Sequence, residues 1–233
     1  MLFATIRQAM IDDMLRTIEA ECALTSSYTG IRAFRPEVMA AMAKAPRDEF
    51  VPPAIRSQAF ANGALPIGDG QTISQPFIVA LMTDLLNPEK GHSVLEVGTG
   101  SGYQSAVLAE LVKQVYSIEI IPELAEQAAD RLHRLGYANI EVRAADGYLG
   151  WLTHAPFDGI IVTAAATHVP PALTEQLRPG GRLVIPVGLP YMHQELLLIE
   201  KDAGGRRHTR DVLGVSFVPL TGRGERGGRD EEG

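Results

Sequence analysis

The chain has 233 residues, of which 45% are hydrophobic and 21% are charged, and its formal net charge at pH 7 is -7. This length and composition are typical of one globular domain with a sizeable core, and they exclude a chain that is disordered throughout. The negative charge argues against broad contact with nucleic acid, because proteins that make such contact normally carry a basic surface that neutralises phosphates.

Cys22 is the one cysteine of the chain, so an intrachain disulfide is excluded and an oxidising compartment has no support. The amino-terminal stretch carries charges throughout and lacks the apolar core of a signal peptide. No apolar run approaches the roughly 20 residues that cross a bilayer. We therefore expect a cytoplasmic protein with no membrane partner and no nucleic-acid partner, and we take a monomer as the default.

The first part of the chain is predicted to be helical and then irregular. Apolar residues recur at three- and four-residue steps over 4–22, which predicts a first helix, and a short second helix is predicted over 36–45. The stretch 46–76 is rich in Pro and Gly and shows little periodicity. An irregular stretch of this length inside a compact domain is often functional. A third helical pattern follows over 77–86.

Downstream, short apolar runs alternate with helical patterns. The apolar runs cover 93–97, 115–120, 140–145, 157–165 and 182–188, and the helical patterns cover 102–112, 122–135 and 170–178. This alternation predicts parallel strands with helices on both faces. Two further apolar runs, 195–201 and 211–220, predict an antiparallel hairpin at the carboxyl-terminal edge. The predicted fold is α/β and doubly wound, with a mostly parallel seven-stranded sheet.

We predict one domain over residues 1–221. Within it, residues 1–76 are expected to form a helical and loop extension that covers the active site, and residues 77–221 are expected to form the ligand-binding core. The last residues, 222–233, are rich in Gly and charge, a composition that predicts a disordered tail.

The sequence EVGTGSGYQ, over 96–104, predicts a tight glycine turn between a strand and a helix. In such a unit the glycines let the backbone approach a ligand, and the helix amino terminus offers unpaired N–H groups. We therefore assign the turn to a ligand site that includes Gly98, Thr99, Gly100, Ser101 and Gly102. A tight turn that binds no ligand is the alternative.

The residues around the turn favour S-adenosylmethionine over a dinucleotide. A dinucleotide fold requires G-x-G-x-x-G, but Tyr103 stands where the third glycine of that pattern would fall. Glu96, two residues before Gly98, would repel a pyrophosphate and favour a ligand with positive charge. S-adenosylmethionine carries a sulfonium and an amino group and has no phosphate.

Two further acids follow the next two strands. Glu119 stands where an acid accepts hydrogen bonds from two ribose hydroxyls, a feature that suits NAD equally well. Asp146 is placed to hold the adenine amino group. A surface carboxylate is the alternative for each acid taken singly. Three acids at the ends of three consecutive strands nevertheless predict a ligand site, because that edge is where open α/β sheets bind ligands.

Two other chemistries are not indicated. A hydrolase nucleophile requires glycines two residues either side of the serine, and Ser101 is flanked there by Thr99 and Tyr103. The histidines are scattered and have no partner at metal-ligand spacing, so we predict no metal site.

Several sequence elements together resemble one enzyme family. EVGTGSGYQ, ADGYLGW, APFDGIIVTAAA, GGRLVIPVG and FVPL occur in the order seen in protein-L-isoaspartate O-methyltransferases, and APRDEFVP and LPIGDGQTISQP extend the likeness upstream. The resemblance runs from about residue 36 to 221. The element Gln-Thr-Ile-Ser-Gln-Pro is far more specific than the glycine turn, which generic methyltransferases share.

The resemblance implies a class I methyltransferase fold and a protein-repair reaction. The methyl group of S-adenosylmethionine would pass to the free α-carboxylate of L-isoaspartyl residues in damaged proteins, and S-adenosyl-L-homocysteine would be the second product. The methyl ester would then cyclise to a succinimide, whose hydrolysis returns part of the product to aspartate. The partners implied are damaged proteins and peptides that contain isoaspartyl residues.

The resemblance also implies roles for individual residues. Ser74 corresponds to the active-site serine of the family. Positions that correspond to cofactor-binding residues are Gln71, Thr72, Ile73, Glu119, Ile120, Asp146, Gly147 and Thr221. Ser74 also has a structural alternative, because a serine just before Pro76 and an apolar helix can cap that helix.

One segment and one position depart from the family pattern. The segment 19–34 is longer than the usual link between the first two helices, and Asn62 stands where family members often carry Asp. Other activities also remain as alternatives: methylation of a small molecule or RNA, NAD-dependent oxidation, and binding of S-adenosylmethionine without catalysis. We further expect the segment 46–76 to open and close over the cofactor.

Overall fold

The computed structural model describes residues 2–190 and 192–223. The helices are α1 (Leu2–Thr29), α2 (Pro36–Lys44), α3 (Pro76–Leu86), α4 (Tyr103–Ala109), α5 (Pro122–Arg134) and α6 (Pro171–Gln176). The strands are β1 (Leu65–Gly68), β2 (Gln71–Ile73), β3 (Ser93–Val97), β4 (Gln114–Glu119), β5 (Ile140–Ala144), β6 (Phe157–Val162), β7 (Leu177–Gly188), β8 (Gln194–Lys201) and β9 (Arg207–Val215). Short 3₁₀ segments lie at Arg47–Glu49, Pro53–Gln58, Gly147–Leu149 and Leu152–His154.

Seven strands form one sheet in the order β5-β4-β3-β6-β7-β8-β9. The strands from β5 to β7 pair in parallel, and β8 pairs antiparallel with β7 and with β9. The predicted mostly parallel sheet with a terminal antiparallel hairpin is confirmed. After β3 the chain moves outward to β4 and β5 and then returns to β6, so the strand order reverses beside β3. Open α/β sheets bind ligands at such a reversal.

Apolar side chains cover both faces of the sheet, because successive residues of a strand point to opposite faces. In β3, Val94 belongs to the core cluster that includes residues of α1 to α4, and Leu95 belongs to the cluster on the other face. In β6, Ile161 joins the first cluster, while Ile160 and Val162 join the second. This two-sided burial explains why the central strands have almost unbroken apolar sequences.

Helix α1 is longer than the predicted helix over 4–22 and continues to Thr29. Serine and threonine in its last turns stay helical because their hydroxyls donate to carbonyls of the preceding turn. Thr25 Oγ1, for example, donates to Glu21 O at 2.8 Å. The segment 19–34, expected to be a long link, is therefore helical over most of its length.

The carboxyl end of α1 is fixed against the edge of the sheet. Gly30 has φ 74° and ends the helix, a conformation that favours glycine. Arg210 of β9 donates from Nη1 to Thr29 O at 3.0 Å, which satisfies one of the free carbonyls of the last turn. The long first helix thereby covers part of β9, the last strand of the sheet.

The segment 46–76 contains a small antiparallel hairpin formed by β1 and β2. Asp69 and Gly70 form its two-residue turn with φ 51° and 69°, the left-handed pair that a tight hairpin turn of this kind requires. The hairpin lies over the glycine turn, since a methyl group added at Gly100 would lie 3.5 Å from Ile67 Cδ1. The Gly-Asp-Gly sequence is therefore a hairpin turn that brings β2 over the edge of the sheet.

After β9 the chain returns to the middle of the sheet. Ala165 N donates to Val218 O and Leu220 N donates to Ala165 O, each at 2.8 Å. These bonds bring residues 218–221 next to the carboxyl end of β6. The predicted tail, 222–233, lies outside the described residues from 224 onward, and the division of the domain at residue 76 stays a prediction.

Candidate active site

A cavity opens at the carboxyl ends of β3, β4 and β6, beside the reversal of strand order. It encloses about 750 Å³, part of which is open to solvent. The predicted site residues that line it are Gln71, Thr72, Ile73, Ser74, Gly98, Thr99, Gly100, Ser101, Glu119, Ile120, Gly147 and Thr221. The structure does not bring Glu96, Gly102 or Asp146 to this cavity.

The lining of the cavity suits a nucleoside that carries positive charge. Among the described residues, Glu119 is its one charged side chain, and no Lys, Arg or His takes part. A pyrophosphate would find no cation here, whereas a sulfonium or an ammonium group is favoured by the carboxylate. Val97, Ile118, Ile120 and Leu220 supply apolar surface of the kind that an adenine ring requires.

The glycine turn between β3 and α4 adopts left-handed backbone conformations. Gly98, Gly100 and Gly102 have φ 98°, 51° and 89°. A methyl group at Gly98 would collide with the Thr163 hydroxyl on β6's carboxyl side. Gly102 instead faces α5, where a methyl group would lie 3.2 Å from Leu132 Cδ1. Gly98 and Gly100 therefore shape the cavity, and Gly102 allows α4 and α5 to pack closely.

Glu119 is held in position at the end of β4 by backbone groups. Its Oε2 accepts from Gly100 N at 2.8 Å, and its Oε1 accepts from Ile121 N at 3.1 Å. The residue is only 5% exposed and its side chain lines the cavity. Because each carboxylate oxygen has two lone pairs, both oxygens keep an acceptor position for ligand hydroxyls.

Glu96, expected to contact the cofactor, is buried beneath the turn. Ser117 Oγ donates to its Oε2 at 2.6 Å, and Ser105 Oγ donates to the same oxygen. Its Oε1 has no hydrogen-bond partner among the described residues. Burial raises the pKa of Glu96 to about 7, although both serine hydroxyls oppose the shift. Glu96 therefore supports the turn from inside and does not supply the charge that the ligand meets.

Asp146 lies beside the cavity. Its Oδ1 accepts from Tyr148 N at 3.0 Å and its Oδ2 accepts from Arg223 N at 2.7 Å. It lines a neighbouring cavity together with Ile120, which lines both cavities. Gly147, the next residue, reaches the first cavity directly. The contact of Asp146 with the adenine amino group therefore stays a prediction.

Ser74 lies in the cavity wall between β2 and α3. Its carbonyl accepts from Arg47 Nη2 at 2.7 Å, and no hydrogen bond of the described residues involves its hydroxyl. The interpretation of Ser74 as a helix cap is wrong, because Gln75 is the N-cap residue of α3. Phe77 N–H has no acceptor within the helix and donates to Asn62 Oδ1 at 3.1 Å. The side chain of a residue distant in sequence therefore caps the helix.

A second cleft adjoins the cavity on the side of α1 and β9. Its lining includes Glu21 of α1, the start of α3 and residues 213–218. Thr72, Ser74, Thr163 and Val218 line both the cavity and the cleft. The two spaces therefore share a wall, and Ser74 is part of that wall.

Comparison with known proteins identifies the family. A model of the family Protein-L-isoaspartate(D-aspartate) O-methyltransferase (PCMT) matches residues 26–225. Protein-L-isoaspartate O-methyltransferase 2 of Syntrophobacter fumaroxidans is 62% identical over 209 residues, which cover 90% of this chain and 85% of that relative. The chain belongs to this family. A protein of the same name from Polaromonas sp. is 57% identical, over 90% of this chain and 99% of that relative.

Two solved structures share the fold of this isoaspartate methyltransferase. One, a protein-L-isoaspartate O-methyltransferase, has a TM-score of 0.78 at 27% identity and covers 91% of this chain, while the match covers 66% of that chain. The other is a beta-aspartate methyltransferase from Plasmodium falciparum in complex with S-adenosyl-L-homocysteine. It has a TM-score of 0.75 at 22% identity, over 92% of this chain and 98% of that chain.

Family membership confirms the predicted enzyme class, the repair of isoaspartyl residues by methyl transfer and the use of S-adenosylmethionine. It does not support the alternatives, which were a small-molecule or RNA methyltransferase, an oxidoreductase and a non-catalytic binding protein. The cavity agrees with this cofactor, because the described part of its lining offers a carboxylate and apolar surface and no cation. Within the part of the chain that the structure describes, no helix is long and apolar enough to cross a membrane.

Some residues that line the cavity were not assigned to it from the sequence. They are Val79, Val97, Tyr103, Gln104, Ile118, Val218, Pro219 and Leu220. Tyr103 and Gln104 directly follow the glycine turn, so their position was a usable signal. The stretch 218–220 is distant in sequence from the turn, and its motif FVPL was the one sign that it belongs to the site.

Proposed function

We propose that the cavity binds S-adenosylmethionine and that the adjoining cleft receives the isoaspartyl peptide, with Ser74 between the two. The observation that carries this proposal is the shared wall, which includes Thr72, Ser74 and Thr163. Methyl transfer requires that donor and acceptor meet in line at one point. A residue that lines both spaces can contact the acceptor at that point.

On the cofactor side, we assign residues by the groups they present. Glu119 keeps acceptor positions on both oxygens and would bind the ribose hydroxyls. Asp146, beside Ile120, would hold the adenine amino group. The hairpin residues and Thr221 would close over the ligand from the opposite sides. When bound, S-adenosylmethionine supplies the methyl group, whose bond to sulfur breaks as its bond to the acceptor oxygen forms.

The acceptor needs positioning more than it needs a base. An α-carboxylate is already ionised at neutral pH, so no residue has to remove a proton from it. The Ser74 hydroxyl, which has no partner in the described residues, can donate to one carboxylate oxygen and leave the other free to attack. The bound cofactor and peptide would displace water from the cavity, and a carboxylate that has lost its hydration is the better nucleophile.

Replacement of Ser74 tests this assignment. For Ser74→Ala we expect turnover with an isoaspartyl peptide to fall by about tenfold or more, while affinity for S-adenosylhomocysteine stays within about twofold of the original. Because Ser74 does not cap α3, the free energy of unfolding should change by less than about 0.5 kcal/mol. Transfer of a radiolabelled methyl group, isothermal titration and urea unfolding measure the three quantities.

A matched control is Ser57→Ala, which removes a hydroxyl from an exposed residue of the same segment. It should leave turnover unchanged. The aspartyl version of the peptide is the substrate control for the wild-type enzyme. Near-normal turnover by Ser74→Ala, or equal labelling of the two peptides, would contradict the proposal.

We also propose that the enzyme acts in the cytoplasm as a monomer. Cys22 is its one cysteine and is only 2% exposed, so it offers no thiol for pairing between chains. Sedimentation of the purified protein tests the oligomeric state, and a dimer at micromolar concentration would contradict this part.

A further inference from the structure

Arg47 is a fully buried cation that takes part in no described ion pair. Its exposed fraction is 0%, and it lies in the 3₁₀ turn Arg47–Glu49. Its donors meet carbonyl oxygens instead: Nε donates to Ala59 O and Nη2 donates to Ser74 O, both at 2.7 Å. Nη1 is buried with no hydrogen-bond partner among the described residues. Such an arrangement is costly, because a buried charge normally requires a counter-charge.

The guanidinium contacts two parts of the active site. Ser74, which accepts one of its hydrogen bonds, stands in the wall between cofactor cavity and peptide cleft. Tyr103, whose ring centroid lies 4.7 Å from the guanidinium carbon, is the first residue of α4 after the glycine turn. Burial lowers the pKa of Arg47, but an arginine side chain stays protonated in proteins. A permanent positive charge therefore lies directly behind Ser74.

The charge of the substrate complements this cation. The reacting group of an isoaspartyl peptide is a carboxylate, and we have placed it beside Ser74. In a buried setting the attraction between unlike charges is only weakly screened, so it acts beyond hydrogen-bond distance. The one charged side chain that lines the cavity among the described residues, Glu119, is an acid and cannot attract the substrate.

We propose that Arg47 is a positioning residue for the methyl acceptor: it fixes the peptide group of Ser74 and supplies the positive charge that favours binding of the substrate carboxylate. Arg47 gains and loses no bond in the reaction. The proposal rests on the proposed position of Ser74 at the acceptor site. The proposal predicts different effects on the two ligands, because a cation should favour binding of the anionic peptide and should not favour binding of the sulfonium.

The test compares two substitutions at Arg47. Arg47→Gln keeps a donor and removes the charge, and we expect it to raise KM for an isoaspartyl peptide by about tenfold or more. Its affinity for S-adenosylhomocysteine, which lacks the sulfonium, should stay within about twofold. Arg47→Lys loses the planar fork of donors but keeps the charge, and because the charge attracts the substrate carboxylate it should return KM to within about threefold of the wild-type value.

Arg35→Gln is the matched control. Arg35 also has a buried nitrogen, Nη2, with no hydrogen-bond partner among the described residues, but it pairs with Asp84, bonds to Asn87 and makes no described contact with Ser74 or Tyr103. Its loss should lower stability and leave KM for the peptide unchanged. This control separates the effect of losing a partly buried arginine from an effect on substrate binding.

Several outcomes would overturn the proposal. These are an unchanged KM in Arg47→Gln, an Arg47→Lys enzyme as impaired as Arg47→Gln, and a loss of S-adenosylhomocysteine affinity that parallels the loss of peptide affinity. If Arg47→Gln does not fold, the KM of Arg47→Lys decides, and a rise of about tenfold contradicts the proposal. Methylation of the isoaspartyl peptide by the wild-type enzyme is measured first, so that failure of the proposed function is seen separately.

Discussion

At the scale of single residues, Glu96 has the most unusual environment among the acids of the site. It is fully buried, two serine hydroxyls donate to one of its oxygens, and Glu119 is the nearby acid that adds to the rise in its pKa. Ser117, one of the two donors, also bonds to Thr99 of the glycine turn at 2.6 Å. Ionisation of Glu96 therefore affects the base of the turn.

Glu96→Gln should change how stability depends on pH. The folded pKa of Glu96 is about 7, above its ordinary 4.5, so the folded state keeps a proton that the unfolded state has already lost. The stability that this proton contributes is present below pH 4.5 and is lost as pH rises through 7. From about pH 4 to about pH 8, the wild type should lose about 3 kcal/mol relative to Glu96→Gln.

Urea unfolding of the two proteins at several pH values measures this difference. Curves of unfolding free energy that run parallel over the whole range would show that folding does not raise the pKa of Glu96. The Gln side chain has nearly the same size, so packing around Ser105 and Ser117 is preserved in the comparison.

At the scale of elements, the start of α3 is held by residues from two other segments. Asn62 accepts from Phe77 N and donates from Nδ2 to Glu21 of α1. Gln75, the N-cap residue, donates from Nε2 to the same Glu21 carboxylate at 3.1 Å. The departure at Asn62 thus has a physical reason in this chain, because an amide can accept from α3 and donate to α1 at the same time.

Asn62→Asp, the residue that family members often carry, should destabilise this protein. Aspartate can still accept from Phe77 N, but it would face Glu21 with a second negative charge and no donor. We expect a loss of about 1 to 2 kcal/mol in the free energy of unfolding at neutral pH. Thermal unfolding monitored by circular dichroism measures this loss.

Glu21→Gln supplies the control for that substitution. In the Glu21→Gln background, Asn62→Asp should cost less than about 0.5 kcal/mol, because the like charge is gone. An equal cost in both backgrounds would mean that the two side chains do not interact.

At the scale of the whole molecule, the cavity is lined by parts that are far apart in the chain. The hairpin of β1 and β2 lies over the glycine turn, and residues 218–221, which pair with Ala165 after β6, line the same cavity. The cofactor would contact all of these parts, so its binding should hold the segment 46–76 against the core. This segment is expected to open when the cavity is empty.

Limited proteolysis with trypsin tests this movement. Arg56 lies in the 3₁₀ segment Pro53–Gln58 with its side chain 48% exposed, and cleavage there requires local opening. Saturating S-adenosylhomocysteine should slow cleavage at Arg56 by about fivefold or more. Arg206, exposed in the turn between β8 and β9, is the internal control whose cleavage rate should not change. Equal rates at Arg56 with and without ligand would contradict the expected closure.

Much of the fold was predictable because periodicity is a local property. The buried parallel strands are continuous apolar runs, and the two-sided burial of Val94 and Leu95 shows why. The extension of α1 to Thr29 was not predictable, since the hydroxyls of its last turns and Arg210 of β9 satisfy carbonyls that propensity does not take into account. The hairpin turn at Asp69 and Gly70 carried a usable sequence signal.

The active site was also predictable only in part. The sequence by itself determined the sheet, the glycine turn, the cofactor and the family, because these depend on spacing along the chain and on motifs that neighbouring residues form. Tertiary structure alone decided that Glu96 lies beneath the turn, that Asn62 caps α3 in place of Ser74, and that Arg47 lies behind Ser74. Burial and hydrogen bonding between distant segments fix these positions, and no spacing along the chain records which segments will meet.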